Sequence, residues 1–246
     1  FTLAQNMKNQ AEKFGLVSRF ENVIEVNLNT QPKLIKTTES EYFAKSVIIA
    51  TGATPRELGA PNEEKFIGKG IHYCASCDGM FYRGKTVAVI GGGDTALSDS
   101  IMLSRIAKKV FLIHRRDGFR GAKVYQDTIS KLENIEVVLN SQVSELLGED
   151  KLSGIIVKNA QTGETNNIDC DAVFVCIGRK PSTEIIKGQI DVNESGYVIA
   201  GEDTKTNIDG VYAIGDVRTK ALRQVVTAVS DGAVAIHHIE EFLKTV

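Results

Sequence analysis

The chain is short of charge imbalance, of long apolar runs and of cysteine, and each shortage excludes something. Its 29 lysines and arginines stand against 31 aspartates and glutamates, a formal net charge of −2. That balance leaves no electrostatic case for nucleic acid or an anionic membrane surface as the main partner. No apolar stretch approaches the roughly 20 residues that a membrane-spanning helix needs. There are four cysteines, with no disulfide-framework spacing and no visible secretory leader, so a soluble protein of the reducing cytoplasm is expected. His72, His237 and His238 show no ligand spacing; surface or packing roles are expected for them, and no metal site. What is present is 246 residues, 42% hydrophobic, enough to bury one large core or two moderate ones.

Two of the cysteines fall in Cys74-Ala75-Ser76-Cys77-Asp78-Gly79. Thiols at this spacing can close a small disulfide and reopen it by exchange, and the attacking sulfur is competent only as thiolate. The adjacent Asp78 is placed to take a proton from one sulfur and return it. The alternatives are a structural zinc site or two ordinary thiols. Zinc normally asks for a second ligand pair at similar spacing, whereas Cys170 and Cys176 are separated by five residues in an apolar segment.

Along the chain, Leu3, Met7, Ala11 and Phe14 recur at helical spacing before Gly15, which predicts a helix over 2–14 whose apolar face wants a sheet. Strands are expected at 22–28, 33–38 and 46–50, the last ending in Thr51-Gly52. That ending is either a place where bare backbone meets a ligand or a simple glycine turn. Residues 55–73 are rich in glycine and proline without a sustained period, which marks a domain crossing. A strand at 86–90, the turn Gly91-Gly92-Gly93-Asp94-Thr95-Ala96, a helix over 97–107 and a strand at 110–113 form a βαβ unit. Its turn matches G-x-G-x-x-A in the context that a dinucleotide site requires. Gly91 makes the turn, Gly93 admits a pyrophosphate to backbone, Ala96 allows close helix packing, and the helix amides of Asp94 and Thr95 receive phosphate.

The second strand ends in His114-Arg115-Arg116-Asp117-Gly118-Phe119-Arg120. Arginines rather than an acid at this point favour a 2′-phosphate, hence NADP over NAD; a solvated basic turn is the plainer alternative. A helix over 122–132, a strand at 135–139, and strands at 143–147 and 152–158 turning around Gln161-Thr162-Gly163 are expected next. Residues 171–177 close that run, and Gly178-Arg179-Lys180-Pro181 marks a second crossing. The strand Val211 to Ile214 leads into Gly215-Asp216, where the acid is open to two readings, a holder of ligand hydroxyls or a turn acid. A long helix follows with Val225, Val229, Ala233, Ile236 and Ile239 on one face and Arg223-Gln224 near its start. It too is open, as core or as a helix start facing an electron-rich ring.

Together these stretches resemble the low-molecular-weight thioredoxin reductases, through C-x-x-C-D-G, G-G-G-D-x-A, H-R-R-D-x-F-R, and G-D-V followed by R-Q, over nearly the whole chain. The resemblance implies an α/β, two-domain flavoprotein disulfide reductase fold with two Rossmann-like nucleotide-binding domains. An NADPH domain at 57–181, carrying the C-x-x-C, is inserted between FAD-domain parts at 1–56 and 182–246. It implies a homodimeric thioredoxin-disulfide reductase, with electrons passing from NADPH via FAD and the Cys74/Cys77 disulfide to oxidised thioredoxin. By the same resemblance Cys77 is the sulfur next to the flavin, Cys74 exchanges with thioredoxin, Asp78 is the acid-base residue and Phe81 docks thioredoxin. Arg115, Arg116 and Arg120 hold the 2′-phosphate, with His114, Ile177 and Gly178 also at NADPH. Thr51, Gly52, Gly215, Asp216, Arg223, Gln224 and Val225 look like flavin contacts.

Ser98 with Asp99, where the family usually has two acids, and Met80, in place of a frequent aromatic, depart from the pattern. The family's first βαβ, with the glycine turn for FAD, is expected before Phe1, so the chain reads as an N-terminally truncated copy with an incomplete FAD domain. Two rivals stand beside this reading. One is the flavoprotein reductase component of an alkyl hydroperoxide system, which typically lacks the arginine cluster; the other is a non-catalytic NADPH-binding module. A flavin reductase for ferredoxin would lack the cysteine pair.

Overall fold

A computed structural model describes residues 2–246 of the chain. It divides into two compact units, one running to Thr54 and resuming over Lys180–Val246, the other comprising Pro55–Arg179.

The first unit begins with α1 (Thr2–Lys13), which ends as Gly15 takes a left-handed φ of +93°. The helix forms where periodicity placed it, but the expectation that its apolar face packs on a sheet is corrected. None of its residues is buried, and Leu3 is 59% exposed. An antiparallel meander follows, β1 (Val23–Asn27), β2 (Lys33–Thr37) and β3 (Glu41–Ala44). After it come β4 (Val47–Ile49) and β5 (Ala53–Pro55). Sequence reading missed β3, a four-residue strand whose burial alternates but whose residue types do not, because apolar Phe43 is on the exposed side.

The second unit holds α2 (Glu63–Phe66), β6 (Ile71–His72), α3 (Ala75–Asp78), β7 (Thr86–Ile90), α4 (Asp94–Ser104) and β8 (Lys109–Ile113). They are followed by α5 (Lys123–Ile129), β9 (Ile135–Val138), β10 (Ser141–Gly148), β11 (Leu152–Asn159), β12 (Thr165–Asp169) and β13 (Ala172–Val175). Strands β6, β13, β7, β8 and β9 form one parallel sheet in that order. Alternate side chains of β7 serve opposite faces, as strand geometry requires. Val87 and Val89 pack with Ala96, Leu97 and Leu103 of α4, while Ala88 and Ile90 pack with Leu152, Ile155 and Val157 of β11. Coverage on both faces explains the unbroken apolar reading of β7 and β13. The three-stranded antiparallel sheet β10-β11-β12 corrects one turn: Gln161-Thr162-Gly163 joins β11 to β12, while β10 and β11 meet around 149–151.

The chain returns through β14 (Arg179–Pro181), which pairs with β5, and then β15 (Val211–Ala213), parallel to β4 with Val211 opposite Val47. Leu28, Ile49, Val198, Val211 and Ala213 are among the core of this unit. The final helix α6 (Val225–Leu243) buries Asp231 and Ala235. The apolar face expected from Val225, Val229 and Ile236 faces outward instead, at 46% exposure or more.

Candidate functional site

After β6 the chain tightens into α3, and the Cys74 carbonyl accepts the amides of Cys77 (3.2 Å) and Asp78 (3.1 Å). This single turn brings the two cysteine Cα atoms to 5.3 Å, and the sulfurs are joined as a disulfide. Cys77 is exposed and Cys74 half-buried. Both line a cavity of about 650 Å³, together with Asp78, His72, Phe81 and Arg179. Phe81 is 76% exposed beside the disulfide, and Met80 is 58% exposed. Cys170 and Cys176 remain free thiols. Burial pushes Cys170 up to about 12 and, with Asp99 beside it, Cys176 well above the ordinary thiol range.

His72 takes the packing role expected of it and adds polar contacts that were not expected. Its ring is buried and stacks on Phe174 at 5.5 Å. Nδ1 lies 3.1 Å from Asp78 Oδ2, and Nε2 lies 2.7 Å from the Tyr82 hydroxyl. Sequence reading missed this because the residues are joined by a turn rather than by spacing; a histidine six positions before the acid carries no pattern of its own.

The glycine turn lines a second cavity of the same unit, about 520 Å³, with His114, Arg115, Arg120, Ile177 and Gly178. Gly91, Gly93 and Thr95 of the expected set face it, as does Gly92. At Gly91 φ is +150° and a Cβ would stand 2.4 Å from the Cys176 carbonyl oxygen; at Gly92 it would fall within 2.6 Å of the His114 ring. Only glycine lets the strand, the ring and the helix start approach this closely. His114 is held below the usual imidazole range, first by burial and then by Arg116 and Arg120, and its buried Nε2 has no protein partner.

Three residues of the expected set stand outside this lining. Asp94 accepts the Ala122 amide at 2.7 Å, at the start of α5. Ala96 is fully buried beneath the turn, and Arg116 does not line the cavity, though its carbonyl accepts the Asn140 amide. Below the turn, the Cys176 thiol donates to Asp99 at 3.4 Å, and burial raises that carboxyl.

In the first unit, Thr51 Oγ1 donates to the Ser182 carbonyl at 2.6 Å, and the Gly52 carbonyl accepts the Ser182 amide. Gly215 and half-buried Asp216 lie in a 3₁₀ turn after β15. The Gly215 amide donates to Asp231 Oδ2 at 2.8 Å. Arg218 (2.7 Å) and Lys220 (2.7 Å) also converge on Asp231. Arg223 stacks its guanidinium 4.1 Å over the Tyr197 ring. The Gln224 amide donates to Thr227 Oγ1 at the start of α6, where Val225 is 62% exposed. The structure thus gathers the expected residues at three places, the disulfide, the glycine turn and the junction of β15 with α6. Thr51 and Gly52 follow β4, whose Ile49 stands opposite Ala213 of β15. Asp231, which fixes that junction, was not anticipated.

Comparison with known proteins points one way. The pyridine nucleotide-disulphide oxidoreductase family matches residues 3–232. The chain is 42% identical over 245 residues to a thioredoxin reductase of Treponema pallidum, covering all of this chain and 80% of that one. It is 40% identical to one from Peptoclostridium acidaminophilum, covering 99% of this chain and 79% of that one. Among solved structures, thioredoxin reductase from Streptococcus pyogenes superposes with a TM-score of 0.92 at 37% identity, over 100% of this chain and 80% of that one. The enzyme from Giardia duodenalis gives 0.90 at 33%, over 99% and 81%. With its α/β architecture, its Cys74–Cys77 disulfide and these matches along nearly its whole length, the chain belongs to the thioredoxin reductase branch of the pyridine nucleotide-disulphide oxidoreductases.

Proposed function

We propose that this protein is an NADPH-dependent thioredoxin-disulfide reductase in which residues 57–181 hold NADPH and the redox disulfide, and residues 1–56 and 182–246 hold FAD. The observation that carries the reading is that one compact unit contains both a Cys74–Cys77 disulfide in an open cavity and a glycine-floored cavity rimmed by Arg115 and Arg120. The second cavity fits a dinucleotide phosphate. Its floor is closed to any Cβ at Gly92, α4 opens beside it, and the unpartnered His114 Nε2 is a polar group awaiting a ligand. At the other site, Gly215 and Asp216 meet the exposed start of α6, an arrangement that suits the hydroxyls and ring edge of a flavin, with Thr51, Gly52, Arg223, Gln224 and Val225 as further contacts. When bound, FAD supplies the two-electron relay between nicotinamide and disulfide.

The chain's own residues do the rest. Asp78 gives a proton to, and takes one from, the cysteine sulfur as the disulfide opens and closes. Cys74 exchanges with thioredoxin, and exposed Phe81 offers it an apolar contact. The same reading includes the reducing cytoplasm, supported by two cysteines that remain thiols, and a homodimer, supported by the outward apolar residues of α1 and α6.

Cofactor choice tests the proposal. In flavin-loaded protein, Arg115→Ala and Arg120→Ala are each expected to lower kcat/KM for NADPH about tenfold or more, the order carried by a charge-assisted hydrogen bond, and to leave NADH nearly unchanged. Arg116→Ala is expected to do less, because its side chain does not line the cavity. Equal kcat/KM for NADH and NADPH in the unmutated enzyme would sink the assignment.

A further inference from the structure

We propose that His72 is a positioning residue of the redox site, holding the Asp78 carboxylate for proton exchange with the cysteine pair through an Asp78–His72–Tyr82 chain of hydrogen bonds. The inference rests on the acid-base role proposed for Asp78. An ionised carboxylate can only accept, so the imidazole proton at this contact is on Nδ1, which stands 3.1 Å from Asp78 Oδ2. In the neutral ring Nε2 is then the acceptor and the Tyr82 hydroxyl, at 2.7 Å, the donor. Burial, with Asp78 and Asp171 nearby, raises the Tyr82 phenol, so it keeps the proton it must donate. The ring itself cannot swing, because it lies over Phe174, with which His72 is paired across β6 and β13. Each member of the chain is therefore fixed by the next, and the last by the core of the sheet. One Asp78 oxygen is engaged by His72, and the carboxylate lines the same cavity as both sulfurs.

The step His72 supports can be followed without any cofactor. Protein reduced by dithiothreitol and freed of it is mixed with an aromatic disulfide. One cysteine thiol passes its proton to the Asp78 carboxylate, its sulfur forms a mixed disulfide, and one aromatic thiolate leaves. The second cysteine thiol, giving up its proton in turn, displaces the other aromatic thiolate and closes Cys74–Cys77. Two thiols are oxidised, one aromatic disulfide is reduced to two coloured thiolates, and two protons reach solvent. Buried Cys170 and half-buried Cys176, both with raised thiols, do not contribute to the fast phase.

The stopped-flow rate of this phase separates orientation from packing, because two substitutions divide what His72 does. His72→Phe keeps the stack on Phe174 and loses the donor; His72→Asn keeps a donor where Nδ1 stands and loses the stack. His72→Phe is expected to slow the phase about tenfold, as loss of a hydrogen bond to a charged group does, and His72→Asn to stay within about threefold of the unmutated protein. His72→Gln, whose amide reaches past the Nδ1 position, is expected to behave as His72→Phe does and replaces it should that variant not fold. In an Asp78→Asn background, His72→Phe or His72→Gln should add nothing, since the residue acts through that carboxylate. The inference is overturned if Asp78→Asn is slow while His72→Phe and His72→Gln run at the unmutated rate, or if the effects of the two sites multiply. An Asp78→Asn protein as fast as the unmutated one would instead remove the acid-base role of Asp78, and the positioning role with it.

Discussion

Cys74→Ser and Cys77→Ser are each expected to abolish thioredoxin reduction, because a single sulfur cannot close the disulfide that receives the electron pair. Their difference is more informative than their shared loss. Cys77→Ser should leave Cys74 able to hold thioredoxin as a mixed disulfide, while Cys74→Ser should trap it poorly. The reason is the place of Cys77 directly before Asp78, which suits the sulfur whose proton is exchanged during reduction. Exposure alone argues for the opposite order, since Cys77 is the more accessible of the two in this structure. The experiment therefore discriminates between two physical criteria. Non-reducing gels with a thioredoxin lacking its resolving cysteine read the outcome, and a stronger adduct from Cys74→Ser reverses the assignment.

The second large effect is on stability. Arg218 is 1% exposed, and its charge is balanced chiefly by Asp231, with Lys220 and the Gly215 amide on the same carboxylate. Asp231→Ala leaves that buried guanidinium with Glu202, an exposed acid 3.6 Å away, as its remaining counter-charge, at a cost of about 3 to 5 kcal/mol. Chemical denaturation should show the loss in the transition of the unit containing α6, and a change below about 1 kcal/mol would mean the network is dispensable. The pH dependence has a definite sign. Burial acts on Asp231 to raise its carboxyl and is the largest single influence, yet the hydrogen bonds from Arg218, Lys220 and Gly215 together bring it down to about 2. A depressed carboxylate stabilises the fold above its unfolded value of 3.8, and the contribution disappears as pH falls through about 2. The amount at stake is roughly 2 kcal/mol, so the unmutated protein should lose stability between pH 4 and 2 by about that much more than Asp231→Ala does. Parallel acid profiles for the two would contradict it.

Much of this was legible from sequence because it is local. The strand, glycine turn and helix of 86–104 follow one another without interruption, so periodicity and glycine placement were enough. The cysteine pair and its acid lie within a single turn. What could not be read depends on partners brought from afar. His72 acquires its stacking partner only when β13 pairs with β6, and a two-residue strand offers no alternation. In α6 the apolar stripe through Val225, Val229 and Ile236 is regular, yet the helix turns Asp231 and Ala235 inward because the Arg218 charge lies there. Asp231, the one acid of α6 before Glu240, was the available signal. Arg115, Arg116 and Arg120 were indistinguishable by residue type, and only the backbone course at the end of β8 separates the two that line the cavity from the one that does not.

The strand order has a consequence for biosynthesis. In the sheet of the second unit the strand between β6 and β7 is β13, the last of the five to leave the ribosome. Until Ala172–Val175 emerges, β6 has no neighbour to pair with, and the edge of β7 stays open. The wait is longer in the first unit, where β4 receives its parallel partner only at Val211. At translation speeds of about 5 to 20 residues per second, that leaves Val47–Ile49 unmatched for on the order of ten to thirty seconds. Throughout that interval the nascent chain presents apolar strand edges, so slowing elongation beyond Val47 should increase its capture by holdase chaperones, whereas a circular permutant that begins at Lys180 and joins the old ends by a linker would shorten the exposure.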